Sequence, residues 1–268
     1  MLWVVQKNLF IDNKREELLH ALKRMGIPFC EVMVSSYKIF PEIEDESQAI
    51  ITNGSVMLSR IAQQRNWRPG SFFNDNFDFK VWSQHYHDFL LNRDALVTTL
   101  GRAPELTHNM FVRPLSDQKT FNGKVFTPSE FSALQEQGRK KVAQAPSLDT
   151  PVLLAPVKTI GQEHRHFIVD GKVVTSSRYK LSGQPNFSRG CDKAVLDVVE
   201  TALEMWQPSD AFVMDTYISG DDIGIVEMGG ICHAGLYEAD LFKLIDALEE
   251  FGGKYKPESG AAKPKKGV

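Results

Sequence analysis

Two rhythms of apolar and polar residues run along this chain, and they divide it. In the N-terminal part, short apolar runs alternate with helical stretches. Residues 2–5 form an unbroken apolar run with two valines, the pattern of a strand buried on both faces of a parallel sheet. Residues 13–26 then place Leu18, Leu19, Leu22 and Met25 at helical spacing, with Asp12 or Asn13 able to cap the start and Gly26 to stop the helix. After Pro28, residues 29–34 predict a second strand, completing the strand–helix–strand crossover of an α/β sheet. Residues 49–52 predict a third strand, which turns through Asn53-Gly54-Ser55 into a helix reaching Arg65. That turn is too short to match a phosphate loop. The aromatic-rich residues 72–79 read as packing for this unit.

From Thr107 the rhythm becomes that of longer strands and hairpins. Residues 110–113 predict a strand ended by Pro114, and residues 151–156 an apolar strand with proline at each end. Residues 166–169 and 172–179 are two β runs joined by Asp170-Gly171, a hairpin signature. Residues 193–206 predict an amphipathic helix whose apolar face is Val195, Val198, Val199, Ala202 and Leu203. Strands at 211–217 and 223–228 follow, then a closing helix over 239–251. The pattern predicts an α/β unit over 1–105, an α+β unit of antiparallel sheets and helices over 106–253, and a disordered tail over 254–268.

Composition narrows the function classes. With 42% hydrophobic and 24% charged residues, the chain has the make-up of a globular protein. A net charge of −3 gives no global field that would attract nucleic acid, and no nucleic-acid partner is expected. The three cysteines, Cys30, Cys191 and Cys232, are far apart and show no zinc-ligand spacing, which predicts free thiols in a reducing cytoplasm. The N-terminus lacks a basic region before its apolar residues, and no apolar run approaches the roughly 18 residues of a membrane span.

Charge placed inside apolar strands is the main chemical signal. Val213-Met214-Asp215-Thr216-Tyr217 and Gly224-Ile225-Val226-Glu227-Met228 each carry one carboxylate. A charge in that setting is paired, binds metal or does chemistry. If the strands pair as a hairpin, the two carboxylates face one site suited to Mg²⁺, with further positions left to water and phosphate. Arg113, Lys119, Arg165, Arg178 and Lys180 supply cations suited to a triphosphate. The competing reading is structural: Asp215 and Glu227 as salt-bridge partners of Arg165 and Arg178.

Four pieces in order resemble the ATP-grasp superfamily, and within it the clade named for two arginines and a lysine, often encoded by phages and bacterial mobile elements. They are Phe111-Val112-Arg113-Pro114 with Lys119-Thr120-Phe121-Asn122-Gly123; Glu163-His164-Arg165 with its hairpin; Ser177-Arg178-Tyr179-Lys180; and Asp215 with Ile225-Val226-Glu227-Met228-Gly229. Ala234-Gly235-Leu236-Tyr237 also resembles the segment that follows. The resemblance implies a cytoplasmic ligase that uses ATP and Mg²⁺ to join a carboxylate to an amine through an acyl phosphate, acting on a small molecule, a peptide or a protein terminus. It implies that Arg113 and Lys119 hold phosphates and that Pro156, Val157 and Lys158 belong to the hinge against adenine. It further implies Glu163 at the ribose and Lys180 among the nucleotide contacts, Arg165 and Arg178 on the transferring phosphoryl group, and Asp215 and Glu227 on Mg²⁺. Gly229 departs from the family's Glu-x-Asn and removes one side-chain ligand. Two alternatives therefore stand beside the ligase: a nucleotide-binding module without turnover, and an enzyme acting on nucleic acid.

Overall fold

The apolar run at the N-terminus becomes the middle strand of a five-stranded sheet in the computed structural model, which describes residues 1–9, 14–43, 48–115 and 121–255. β1 (Leu2–Gln6) leads through α1 (Arg15–Arg24) to β2 (Phe29–Ser35), which turns back as β3 (Lys38–Phe40). β4 (Ile50–Asn53), α2 (Val56–Gln64) and the short β5 (Pro69–Gly70) complete the order β3-β2-β1-β4-β5. β1 pairs in parallel with both β2 and β4, and Val4 and Val5 are fully buried, as a two-sided strand requires. Asp12 and Asn13, the expected caps of α1, lie outside the described residues. Ser55 caps α2 by accepting from the Leu58 amide at 3.4 Å, so Asn53-Gly54-Ser55 acts as a strand-to-helix turn. β3 escapes the sequence pattern because its turn places Ser36 and Tyr37 at φ of 48° and 61°, where the usual hairpin signal is Gly, Asn or Asp.

The second part follows as α3 (Phe79–Tyr86), β6 (Leu96–Thr99), β7 (Met110–Pro114), β8 (Lys124–Phe126), α4 (Pro128–Arg139) and β9 (Pro151–Pro156). These strands form a four-stranded sheet in the order β6-β9-β7-β8. Its first strand comes from before residue 105, so the sheet draws on both sides of the expected division. β10 (Gln162–Val169), β11 (Lys172–Leu181), β12 (Gln184–Arg189), α5 (Lys193–Met205), β13 (Ala211–Ser219), β14 (Asp222–Gly230) and α6 (Leu241–Gly252) complete the described chain's main elements. The last five strands form an antiparallel sheet ordered β12-β11-β10-β13-β14. Asp170 and Gly171 both take positive φ, 51° and 73°, the conformation an Asp-Gly hairpin turn needs. This mixed α/β architecture with antiparallel sheets agrees with the sequence pattern.

Two apolar cores lock the sheets in place. Val199, Ala202 and Leu203 of α5 pack on Phe212, Met214, Ile225 and Met228, together with Leu153 and Ala155 of β9 and Trp82 and Tyr86 of α3. On the other face, Phe167 and Val213 share a core with Leu18 and Leu22 of α1 and Leu244, Ile245 and Leu248 of α6. The closing helix thus joins the first unit to the last sheet, and Glu249 of α6 accepts from the Met1 ammonium at 2.8 Å. Residues 253–255 form one 3₁₀ turn, and the rest of the expected tail, from 256, lies outside the described residues. No described helix is long and apolar enough to cross a membrane.

Candidate functional site

Strand register builds the site. Asp215 of β13 stands directly opposite Glu227 of β14 and, on its other side, opposite Arg165 of β10. Side chains opposite one another in a sheet share a face, so these three form a charged row. The row lines a cleft of about 570 Å³, with Glu163, Tyr179, Lys180 and Tyr237 beside it. The facing wall comes from the four-stranded sheet: Arg113 and Pro114 of β7, Val125 of β8, and Pro156 with Val157 and Lys158 after β9. Phe121, Asn122 and Gly123 line it as well, as do Leu91 and Asn92.

Two glycines permit close approaches around this cleft. A Cβ at Gly224 would lie 2.2 Å from the Phe89 carbonyl, so only glycine lets residues 89–91 dock against β14. There the Leu91 amide donates to the Ile225 carbonyl at 2.9 Å, bringing Leu91 and Asn92 to the cleft. At Gly123 a Cβ would sit 2.8 Å from Cβ of Arg113. The Arg113 guanidinium itself lies over the Phe79 ring, 5.0 Å from its centroid. Lys158 donates to the Leu91 carbonyl and to the Asp94 carboxylate, tying the segment after β9 to residues 91–94. That Lys158 hydrogen bond holds the Asp94 carboxyl below the ordinary carboxylate range.

The charges inside are strongly paired. Arg165 donates from Nε to Oδ1 and from Nη2 to Oδ2 of Asp215, each at 2.8 Å, and from Nη1 to the Gly235 carbonyl at 3.2 Å. Its guanidinium lies over the rings of Tyr237 and Tyr179, 5.0 and 5.7 Å from their centroids. Burial works to lower the Arg165 pKa, but the Asp215 charge and hydrogen bonds outweigh it, so the guanidinium stays protonated. Glu163 accepts from Tyr179 Oη at 2.7 Å and from Lys180 Nζ at 3.0 and 3.2 Å. Burial, with Asp215 and Glu163 nearby, raises the Tyr179 phenol well above its ordinary value and keeps it a donor.

Of the residues singled out in the sequence, Arg113, Pro156, Val157, Lys158, Glu163, Arg165, Lys180, Asp215 and Glu227 all line this one cleft. Lys119 lies outside the described residues. Arg178 is not among the cleft's residues: it stands opposite His164, and its Nη2 donates to Asn186 Oδ1 at 2.6 Å. The structure thus does not bring Arg178 together with Arg165 at the cleft. The cause is a register shift between Glu163 and His164, which brings Tyr179 and Lys180 to the cleft in its place. The salt-bridge reading holds for Asp215 with Arg165. Sequence reasoning assigned no role to Tyr179 or Tyr237, whose rings stack on each other 5.0 Å apart beside Arg165; both stand inside the quoted motifs, so the signal was present.

Among the described residues no group of three or more His, Cys, Asp or Glu side chains is placed to hold a metal. The donor set still fits Mg²⁺, which takes one or two carboxylates and completes its shell with waters and phosphate oxygens. Glu227, exposed at the cleft, is such a carboxylate.

A family model for the ATP-grasp domain, family 2 of the clade named for two arginines and a lysine, matches residues 90–247. Among curated proteins none matches the chain. Among solved structures, D-alanine–D-alanine ligase from Bacillus anthracis superposes with a TM-score of 0.63 at 12% identity, covering 97% of this chain and 99% of that one. D-cycloserine synthetase DcsG gives 0.58 at 14%, covering 94% and 100%. The ATP-grasp ligase PsnB in complex with its minimal precursor gives 0.56 at 14%, covering 93% and 98%. At such identities the likeness is one of fold.

Proposed function

The chain belongs to the ATP-grasp domain family, in the second family of the two-arginine, one-lysine clade, and from that premise we propose that it is a Mg²⁺-ATP-dependent carboxylate–amine ligase. The observation that carries the proposal is the gathering of Arg113, Glu163, Lys180 and the Arg165–Asp215–Glu227 row into one cleft between two sheets. In this reading ATP lies with its base against residues 156–158 and its ribose hydroxyls at Glu163. Arg113 and Lys180 contact its phosphates, and Lys119 is proposed as a further phosphate contact. Glu227 holds Mg²⁺, which when bound neutralises phosphate charge as the phosphoryl group moves. The acceptor is a small molecule, a peptide or a protein terminus.

The chain's own residues work by position and charge. A substrate carboxylate oxygen attacks the γ-phosphorus, ADP leaves, and an amine displaces phosphate from the acyl phosphate with loss of one proton. Arg165 keeps a fixed positive charge beside the reacting groups, held by Asp215. The rings of Tyr179 and Tyr237 wall the site.

The test is ADP release with Mg²⁺-ATP across amino acids and peptides, with products identified by mass spectrometry. Release stimulated by an acceptor and lost in Glu227→Gln supports the ligase. ATP binding with no acceptor-dependent release, equal in both proteins, would leave the nucleotide-binding module, a reading that Gly229 and the fully paired Asp215 favour.

A further inference from the structure

The Arg165–Asp215 pair bears on how many metal ions the cleft takes. Asp215 is 3% exposed and accepts from one guanidinium with both oxygens. That guanidinium is fixed in turn by the Gly235 carbonyl and the rings of Tyr179 and Tyr237. Two divalent ions clamping a phosphoryl group stand about 3.5–4 Å apart and need side-chain oxygens that reach both. Along β14, the next residue on the face of Glu227 is Gly229, opposite Val213, with no side-chain oxygen to offer. Glu163, the other carboxylate of the cleft, is held by Tyr179 and Lys180.

We propose that the cleft takes one divalent cation per nucleotide, through Glu227, and that Arg165 fixed on Asp215 supplies the positive charge a second ion would bring. The inference rests on the Mg²⁺-ATP reading above and deepens it. A guanidinium suits that task because it is charged at every working pH and sheds its hydration more readily than a small dication. Its donors are already in place, so no ligand rearranges when nucleotide enters.

The test uses Mn²⁺ as the probe with the β,γ-imido analogue of ATP. Equilibrium dialysis counts Mn²⁺ per bound nucleotide, and electron paramagnetic resonance distinguishes an isolated ion from a spin-coupled pair. The expected result is one Mn²⁺ per nucleotide with the isolated-ion spectrum, and a loss of Mn²⁺ affinity of at least about tenfold in Glu227→Gln. Two ions with a coupled spectrum would overturn this inference and leave the ligase reading standing. Absence of nucleotide binding would overturn both. Unchanged Mn²⁺ affinity in Glu227→Gln would remove Glu227 as the ligand. In Arg165→Met, which releases Asp215, the count should rise to two; a count that stays at one would show that Arg165 does not stand in for an ion. Should Arg165→Met fail to fold, the wild-type count and spectrum still decide.

Discussion

Arg165 and His166 are neighbours in β10, yet they stand in opposite electrostatic settings. Alternation turns Arg165 to the cleft and His166 to the other face of the sheet. On the cleft side a full ion pair forms, with Asp215 taking both of its bonds from Arg165. On the other side His166 is fully buried, its Nδ1 and Nε2 each 2.8 Å from a hydroxyl, of Ser176 and Thr216. Burial, then the charge of His164, pushes His166 down to about 3, so its ring is neutral. Charge is kept where a ligand can use it, and His166 itself is held by neutral hydroxyls. The difference separates function from framework within one strand, and it removes His166 as a proton carrier at neutral pH.

Removing one partner on each face should cost different amounts. Asp215→Ala strands a buried guanidinium and should lower stability by about 3–5 kcal/mol in urea denaturation. Thr216→Val removes one hydroxyl from a neutral network and should cost about 1–3 kcal/mol. Equal costs would break the comparison. A smaller effect separates the faces by ligand. Arg113→Ala should weaken ATP binding about tenfold or more, since a charge-assisted contact is worth roughly 1.5–3 kcal/mol. Arg113→Lys should recover only part of it if the contact is bidentate. Arg178→Ala, which removes a guanidinium outside the cleft, should leave ATP affinity within about twofold, because it touches no phosphate in this reading. Calorimetric titration with ATP checks all three, and a loss in Arg178→Ala equal to that in Arg113→Ala would refute the separation.

Much of this was legible in the chain. The strand–helix–strand start, the Asp-Gly hairpin and the two carboxylate strands follow from periodicity and from charges set in apolar runs. The edge strands were harder: β8 has three residues, and β12 is polar with Pro185 inside it, so neither shows an apolar alternation. α4 lies outside the predicted elements although Thr127-Pro128-Ser129-Glu130 carries a start signature, and a capping box forms there. In the site, the residue types were readable but the register was not. The shift that moves Arg178 away from the cleft is a backbone irregularity with no residue signature. The Lys158–Asp94 contact joins residues 64 positions apart and depends on a loop docking beside Gly224. Spacing along a chain carries no information on such a contact.

The last expected effect is a pH dependence, and it sharpens the comparison because it belongs to the framework face alone. The ordinary histidine value is 6.5, and in the folded chain His166 stands at about 3. Below about 6.5 the unfolded chain therefore takes up a proton at this position that the folded chain refuses, and mass action favours unfolding. The stability gained by keeping His166 neutral is whole above about 6.5 and is lost progressively as pH falls towards 3. Its slope should reach at most about 1.4 kcal/mol per pH unit. His164, also lowered by burial and then by Arg178, contributes with the same sign. Carboxylates add their own acid sensitivity, but they do so in any variant that leaves them untouched. His166→Gln keeps a polar side chain between Ser176 and Thr216 and cannot titrate. It should be less stable than wild type at pH 7, and the gap should narrow steadily between pH 6 and pH 4. Urea denaturation at unit steps of pH gives that difference directly. A gap that stays constant through the window would mean that His166 takes its proton as readily folded as unfolded, and the contrast between a charged face and a neutral one would fall.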